Sequence, residues 1–314
     1  MNRTCDVVIV GAGAAGLTAG IVLARAQSEV VVLDEGRPRN ASAAHMHGFV
    51  SRDGVSPSEF LMIGRSELSH YGATLIETRV VAAERTDDHF VIHTGDGQEI
   101  SSRAVLVASG LTDQVPHTPG VHELWGTAVH HCPHCHGWEV RGRELAVLGG
   151  GVPHMTVHQA ALLRRYTDRV TLCPGEMELS SGDRSRLTAF GVRIIDGAIE
   201  RLVTDDGRLT GVALADGSAV ACEAVFIAPA PRANDDVLHA LGCRFDPRTG
   251  WVHTEPGGAT SVPGVWAAGN VSNPRAQVIT AAGEASAAGI AISAWLLERD
   301  LAAAQAVASA EDGR

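Results

Sequence analysis

Val7-Val8-Ile9-Val10-Gly11-Ala12-Gly13-Ala14-Ala15-Gly16 is a β-branched run that leads into a Gly-x-Gly-x-x-Gly turn, and the apolar stretch after it, through Ala26, has helical composition. Val30-Val31-Val32-Leu33 supplies a second strand that ends on Asp34. Strand, glycine turn, helix, strand and acid in register make a complete dinucleotide-binding unit. Gly11 permits the tight turn, Gly13 a close approach of pyrophosphate and Gly16 close packing of helix on strand; Ala14 belongs to the same turn, and Asp34 has the spacing to hold a ribose hydroxyl.

Outward from this unit, the pattern predicts a helix around Ser58 to His70 and short strands near Thr74 to Glu84 and Phe90 to His93. Gly95-Asp96-Gly97 supplies a turn, and a buried strand from Ala104 to Ala108 ends at Ser109-Gly110. From Glu144 the order starts again: Leu145-Ala146-Val147-Leu148, Gly149-Gly150-Gly151, a helix near Met155 to Tyr166 and a strand from Arg169 to Leu172. Turns at Asp206-Gly207 and Asp216-Gly217 precede a buried strand from Ala224 to Ala228. Near Ala230-Pro231 the chain is expected to cross back, because Gly264-Val265-Trp266-Ala267-Ala268-Gly269-Asn270 reads as a buried strand meeting a glycine turn. Gln277 to Leu297 then reads as a long helix whose N-terminus presents a positive dipole to an electron-rich ring, and residues after Ala302 as a frayed or disordered tail. The duplicated order predicts an α/β protein of two Rossmann-like, doubly wound, three-layer domains.

Between the two glycine turns lies His130-His131-Cys132-Pro133-His134-Cys135-His136-Gly137. Cysteines at this spacing can close a small ring, and neighbouring imidazoles favour the thiolate that attacks disulfides. The spacing also suits a structural zinc knuckle. Against zinc, the chain has no second Cys-x-x-Cys, and Cys5, Cys173, Cys222 and Cys243 are scattered singletons that read as buried small residues, so no metal is expected. His136 is the candidate base, since an imidazole titrates near neutral pH and adjoins the dithiol; a cap on local structure is the competing reading. His134 is expected to steady a thiolate, His130 and His131 are candidates for a substrate entrance, and Trp125 and Trp138 read as packing.

The 314 residues allow about two domains. A net charge of −11 argues against a nucleic-acid or anionic-membrane partner and leaves small molecules as clients. The chain has no lysine, which excludes Schiff-base chemistry. It opens into a strand without a basic, then apolar leader, and no apolar run reads as long enough to span a bilayer, so a cytoplasmic location is expected. In that reducing compartment a lone Cys-x-x-Cys points to catalysis.

Gly11 to Gly16, Ser109-Gly110, the Cys-x-x-Cys, Gly149 to Gly151 and Gly264 to Asn270 follow an order and spacing that resembles the low-molecular-weight thioredoxin reductase family over nearly the whole chain. The resemblance implies a homodimer in which residues 1–114 and 238–314 form a discontinuous FAD domain. Residues 115–237 would form an inserted NAD(P)H-domain-like domain that carries the cysteines. It implies that Cys135 lies against the isoalloxazine while Cys132 meets incoming thiols. Gly269 and Asn270 would also hold FAD, with the Asn270 amide standing where the family usually has Asp and able to accept from and donate to the ribityl chain. Gln277 would sit near the flavin ring. Arg39, Asn40 and His45 are further candidates from their place after the second strand, with a solvated loop as the competing reading.

Three departures bear on the reaction. His136 replaces the family's Asp after the second cysteine. Gly149-Gly150-Gly151 continues as Val152-Pro153-His154, which puts an imidazole where close helix packing wants a small residue. The basic residues that would hold the 2'-phosphate of NADPH give way to Cys173-Pro174-Gly175-Glu176. Each missing charge-assisted contact forgoes about 1.5 to 3 kcal/mol, so the inserted domain is expected not to bind the nucleotide. With the Cys-Pro-x-Cys-His-Gly motif and Gly36-Arg37-Pro38-Arg39-Asn40, these changes resemble the FAD-dependent dithiol oxidases that close disulfides in holomycin, gliotoxin and romidepsin, the bacterial holomycin type most of all. That resemblance implies a small-molecule dithiol substrate, molecular oxygen as acceptor and hydrogen peroxide as product. An NADPH-dependent, thioredoxin-reductase-like disulfide reductase is the alternative, and a non-enzymatic sensor or scaffold a third.

Overall fold

The computed structural model describes residues 3–312 and divides the chain into two compact units. One comprises the chain up to Arg39, Gly48–Thr112 and everything from Ala233 onward; the other comprises Asn40–His47 and Asp113–Arg232. In chain order the first segment forms β1 (Arg3–Val10), α1 (Ala14–Arg25), β2 (Val30–Asp34), α2 (Pro57–His70), β3 (Thr74–Glu77), β4 (Val80–Arg85), β5 (Phe90–Thr94), β6 (Glu99–Val107) and β7 (Leu111–Gln114). The middle segment forms β8 (Val129–His130), α3 (Pro133–His136), β9 (Leu145–Leu148), α4 (Pro153–Leu163), β10 (Val170–Cys173), α5 (Ser181–Ala189), β11 (Arg193–Ile194), β12 (Ile199–Asp205), β13 (Arg208–Leu214), β14 (Ala219–Ala221), β15 (Ala224–Ile227) and β16 (Ala230–Ala233). The return segment adds α6 (Asp236–Ala240), β17 (Val265–Ala267) and α7 (Val278–Asp312).

In the first unit the sheet order is β3-β2-β1-β6-β5-β4, with β17 also on β6. β1, β2, β3, β6 and β17 run parallel, whereas β4 and β5 are antiparallel additions. The strand runs are continuously apolar because both faces are covered. Val7, Ile9, Val30, Val32 and Leu106 pack toward α1, α2 and α7; Val8, Val10, Val31, Leu33 and Val105 pack toward α6 and the segment through Val252 and Val262. β6 is longer than the expected Ala104 to Ala108 because two partners share one of its edges. Ile100 to Ser102 pairs with β5, and Val105 to Val107 pairs with β17.

The second unit has a parallel sheet ordered β11-β10-β9-β15-β8 and a separate antiparallel sheet β12-β13-β14. Leu145, Val147, Leu172 and Phe226 face Ala160 and Leu163 of α4 and Leu187 of α5. Ala146, Leu148, Val225 and Ile227 face Leu202, Val212, Leu214 and Val220 of the antiparallel sheet. Helices, parallel sheet and antiparallel sheet are thus three layers.

Several expectations need correction. The compact units change over at 112/113 and 232/233, a few residues from the expected 114/115 and 237/238; α6 falls wholly in the first unit, with Val237 and Leu238 buried in its core. α7 continues to Asp312, so the segment after Ala302 is helical and not frayed through its described length. Alanine is the strongest helix former, and Arg299 over the Trp295 ring (4.9 Å) and Arg103 paired with Asp300 anchor the point where the exposed part begins. Val278–Ala310 also has the length and composition to cross a membrane, contrary to the reading that no stretch does. Its first half belongs to the core of the unit: Ala281, Ala285, Ala288 and Ile292 are buried in the cluster with α1. At Gly289 a Cβ would lie 3.1 Å from Val22, so small residues let the two helices approach closely.

Candidate active site: a disulfide turn and a dinucleotide cradle

β8 pairs with β15 through His130 and Phe226 and delivers the chain into the cysteine turn. Cys132 caps the single-turn helix α3, and Pro133 occupies its first position, where proline's fixed φ suits a helix start and its missing N–H costs nothing. The Cys132 carbonyl accepts from the backbone N–H of Cys135 and of His136, both at 3.1 Å. This winding brings the two cysteine Cα atoms to 5.2 Å, and the sulfurs are bonded to each other. Gly137 ends the turn against the Tyr166 ring: a Cβ there would lie 2.5 Å from the Pro133 carbonyl oxygen and 2.8 Å from the ring. Buried Gln159 of α4 donates from Nε2 to the carbonyls of His131 (2.7 Å) and Ile227 (3.2 Å), tying the turn to the end of β15.

The histidines sort by burial. His130 is 6 % exposed, so it lines no entrance; it lies face to face with His136, ring centres 4.4 Å apart and planes 15° apart, and rests on Phe226 at 5.5 Å. Burial, with His136 and His131 adding repulsion, pushes its pKa down to about 3, so it is neutral at physiological pH. His136 is half-buried. Burial again dominates and holds it below the ordinary histidine value; Glu139 opposes the shift, His47 reinforces it, and the Cys132 carbonyl opposes it. His47 Nε2 and Glu139 Oε1 are 3.5 Å apart, so the two side chains that act on His136 from outside the turn also approach each other. His131 stacks with Trp125 at 6.0 Å, His134 is exposed, and Trp138 is 65 % exposed with Arg141 over its ring at 3.9 Å, so Trp138 is not the packing residue expected.

The other cysteines are all buried. Burial raises the thiols of Cys5 and Cys222 to about 12 and that of Cys173 to about 11, which removes them from thiolate chemistry. Among the described residues, no group of three or more His, Cys, Asp or Glu is placed to hold a metal ion.

In the first unit the three fingerprint glycines have different reasons to be glycine. Gly11 has φ +102°, and a Cβ on it would lie 2.5 Å from the Ala108 carbonyl oxygen; a Cβ on Gly16 would lie 1.8 Å from that of Gly11. Above Gly13 nothing lies within 4 Å. Gly13 caps α1 with no side chain on the helix N-terminus, and the first turn from Ala14 carries no acid. Open space over uncapped N–H groups of a 12-residue helix fits a pyrophosphate, which a side chain at Gly13 would displace. Asp34 Oδ1 accepts from the Ala12 N–H (3.0 Å) and Oδ2 from Arg65 (2.8 Å). Each oxygen keeps a second lone pair, so a ribose hydroxyl can still donate to it.

Gly269 (φ +74°) packs so that a Cβ would lie 3.0 Å from the Cβ of Ala15, which sets the turn after β17 against the start of α1. Asn270 differs from expectation. Its Nδ2 donates to the carbonyls of Asn273 (3.0 Å) and Ala276 (2.9 Å), and its Oδ1 accepts from Arg39 at 3.2 Å. Both amide hydrogens are thus committed to the protein, leaving Asn270 only an acceptor for a ribityl hydroxyl. Gln277 is exposed immediately before α7, in the same unit. Asn40 and His45 are on the loop that groups with the other unit, and His45 is exposed. Contacts within the cradle's own unit therefore do not bring these two residues to it.

In the second glycine turn close backbone packing again requires glycine at two positions, while Gly151, the counterpart of Gly13, is exposed with only Ala230 near its Cβ position, at 3.4 Å. A Cβ on Gly149 would lie 1.8 Å from the Pro174 carbonyl oxygen and one on Gly150 2.7 Å from that of Ala228. The clash anticipated at His154 does not arise. Gly16 is the third residue of α1 whereas His154 is the second of α4, and one residue turns a helix by about 100°; the imidazole is exposed.

A Cys-x-x-Cys disulfide beside a neutral histidine on one unit, and an open dinucleotide cradle on the other, define a flavin-dependent disulfide oxidoreductase. Residues 5–289 match the family described as pyridine nucleotide-disulphide oxidoreductase, and the chain belongs to it. The crystal structure of HlmI is similar with a TM-score of 0.94 at 47% identity, covering 98% of this chain and 96% of that one. Thioredoxin reductase tcpT of Claviceps purpurea (strain 20.1) is 31% identical over 281 residues, covering 86% of this chain and 87% of the relative. Thioredoxin reductase sirT of Leptosphaeria maculans is 30% identical over 315 residues, covering 95% and 96%. The fold is of the thioredoxin reductase type, and the chain is a thioredoxin reductase-like FAD flavoprotein.

Proposed function

We propose that this chain is an FAD-dependent dithiol oxidase that closes an intramolecular disulfide in a small-molecule dithiol of natural-product type, such as a dithiolopyrrolone, with oxygen as acceptor and hydrogen peroxide as by-product. The observation that carries this reading is the end of the strand that follows the second glycine turn. The residues after β10, Pro174-Gly175-Glu176, bring no cation for a 2'-phosphate and place an acid there instead. Electrons that do not come from NADPH must come from thiols.

On this reading the oxidised Cys132–Cys135 pair is the resting form. His136 Nε2 takes the proton of one substrate thiol, and the thiolate attacks Cys132 Sγ; the Cys132–Cys135 bond breaks and Cys135 leaves as a thiolate. The substrate's second thiol attacks the substrate sulfur of the mixed disulfide, which closes the product ring and releases Cys132 as a thiol carrying the proton of the attacking group. Gly11, Gly13, Ala14, Gly16, Asp34, Gly269, Asn270 and Gln277 would hold FAD. When bound, FAD supplies the two-electron chemistry that restores the cysteine disulfide and hands the electrons to oxygen. The cradle unit serves as the FAD domain and the other as a nucleotide-domain relative that has lost its ligand. A homodimer in the cytoplasm completes the proposal.

The NADPH-dependent reductase is kept as a second reading because tcpT and sirT are both named thioredoxin reductases. Oxygen uptake with dithiothreitol as a crude dithiol tests the proposal: the native enzyme yields one hydrogen peroxide per dithiol, and Cys132→Ser keeps its flavin while turnover collapses. Undiminished uptake by that variant would remove the cysteine pair from the reaction.

A further inference from the structure

A buried histidine without an assigned task lies against the candidate base. His130 is 6 % exposed, its Nδ1 is enclosed with no hydrogen-bond partner, and its ring covers one face of His136 at 4.4 Å. A strand position between apolar neighbours favours Val, Ile or Phe, and burying an imidazole without its hydrogen bonds costs free energy. Phe226 of β15 also packs on the His130 ring, centres 5.5 Å apart and planes tilted by 48°, so His130 links β15 to the stacked His136 of the cysteine turn. His136 Nδ1 is also enclosed by the protein. The enclosed nitrogen cannot trade protons with a substrate, so exchange falls to Nε2.

We propose that His130 is a positioning residue for His136: its flat, buried ring fixes the plane of the His136 imidazole and keeps water off one face, so that Nε2 alone exchanges a proton with the incoming thiol. The proposal deepens the dithiol oxidase reading and rests on it for the identity of that thiol. The stack requires a planar ring, not a titrating one, because His130 lies too deep to carry charge. The groups that face His136 are His130 from β8, Glu139 after the turn and His47 from the Asn40–His47 loop, with His131 next to His130. Of these, only His130 is stacked on the ring; the others set its electrostatic surroundings.

Two substitutions separate the plane from the charge. His130→Phe keeps a flat ring on Phe226, and His130→Val keeps a strand-forming apolar residue while opening space over His136 to water. The titration of His136 is followed by NMR of 13C-histidine-labelled protein, its signal identified by loss in His136→Asn, and compared with the pH profile of kcat/KM for dithiothreitol oxidation. In His130→Phe the His136 midpoint and the acid limb of kcat/KM are expected to stay within about 0.2 pH unit of native. In His130→Val both are expected to rise together by half a unit or more, because hydration relieves the burial that holds the midpoint down. Equal shifts in the two variants, or none in His130→Val, would overturn the proposal. The NMR titration does not depend on turnover, so an enzyme that fails to oxidise dithiols would sink the proposed function while still deciding the role of His130.

Discussion

Gln159 Nε2 donates to the carbonyl of His131 at 2.7 Å, fastening α4 to the residue immediately before Cys132. The same amide reaches the Ile227 carbonyl, so one buried side chain fixes the entry to the disulfide turn relative to the central parallel sheet. Gln159→Leu fills the space but leaves both carbonyls without this donor, at a cost of about 1 to 3 kcal/mol. Thermal unfolding should fall by a few degrees, and iodoacetamide should alkylate Cys132 of the reduced enzyme faster than native. An unchanged melting temperature with unchanged alkylation would mean the amide holds nothing in place.

The fingerprint glycines predict a split between folding and cofactor. Gly13→Ala adds a methyl group to open space at an ordinary φ of −71°, so the chain should fold, purify colourless and show native circular dichroism. Gly16→Ala places that methyl 1.8 Å from a backbone oxygen and should fail to give folded protein. Flavin absorbance per chain together with circular dichroism reads both, and a yellow Gly13→Ala protein would move the pyrophosphate elsewhere.

Burial of His130 makes stability depend on pH. Its folded pKa is about 3 against 6.5 unfolded, so below pH 6.5 the unfolded chain binds a proton that the folded chain refuses. Stability is therefore complete above about pH 6.5 and is lost as pH falls toward 3, by at most about 1.4 kcal/mol per pH unit from this group. His130→Phe should flatten that limb, so urea midpoints of native and variant diverge between pH 7 and pH 5 in favour of the variant. Parallel pH dependence would contradict the assignment.

The sequence made the cradle and the disulfide turn legible because both are local: Gly11 to Asp34 and Cys132 to Gly137 carry their meaning in spacing that one or two turns of backbone enforce. What surrounds them was not legible. Gln159, Glu139 and His47 reach the turn from a helix, a loop and a distant segment, and nothing in a single glutamine on an apolar helix face announces that its amide will cap a carbonyl 28 residues away. His130 and His131 look alike in sequence, but His130 is the last residue of β8 and is buried with Val129, whereas His131 lies past the strand end and is half-exposed. Asn270 was assigned two roles toward the flavin, but its donors are used by Asn273 and Ala276, carbonyls of a turn whose shape the sequence does not give. The tail of α7 is helical because the helix propensity of its alanines outweighs the tendency of a chain end to fray.

The central claim is that electrons enter at the sulfur pair and no pyridine nucleotide feeds the flavin. Anaerobic titration of the purified yellow protein tests it most directly, with NADPH in one cuvette and dithiothreitol in another. The account predicts that the dithiol bleaches the flavin absorbance stoichiometrically while NADPH leaves it unchanged over the same period. Rapid bleaching by NADPH, with hydride delivered within a turnover time, would contradict it.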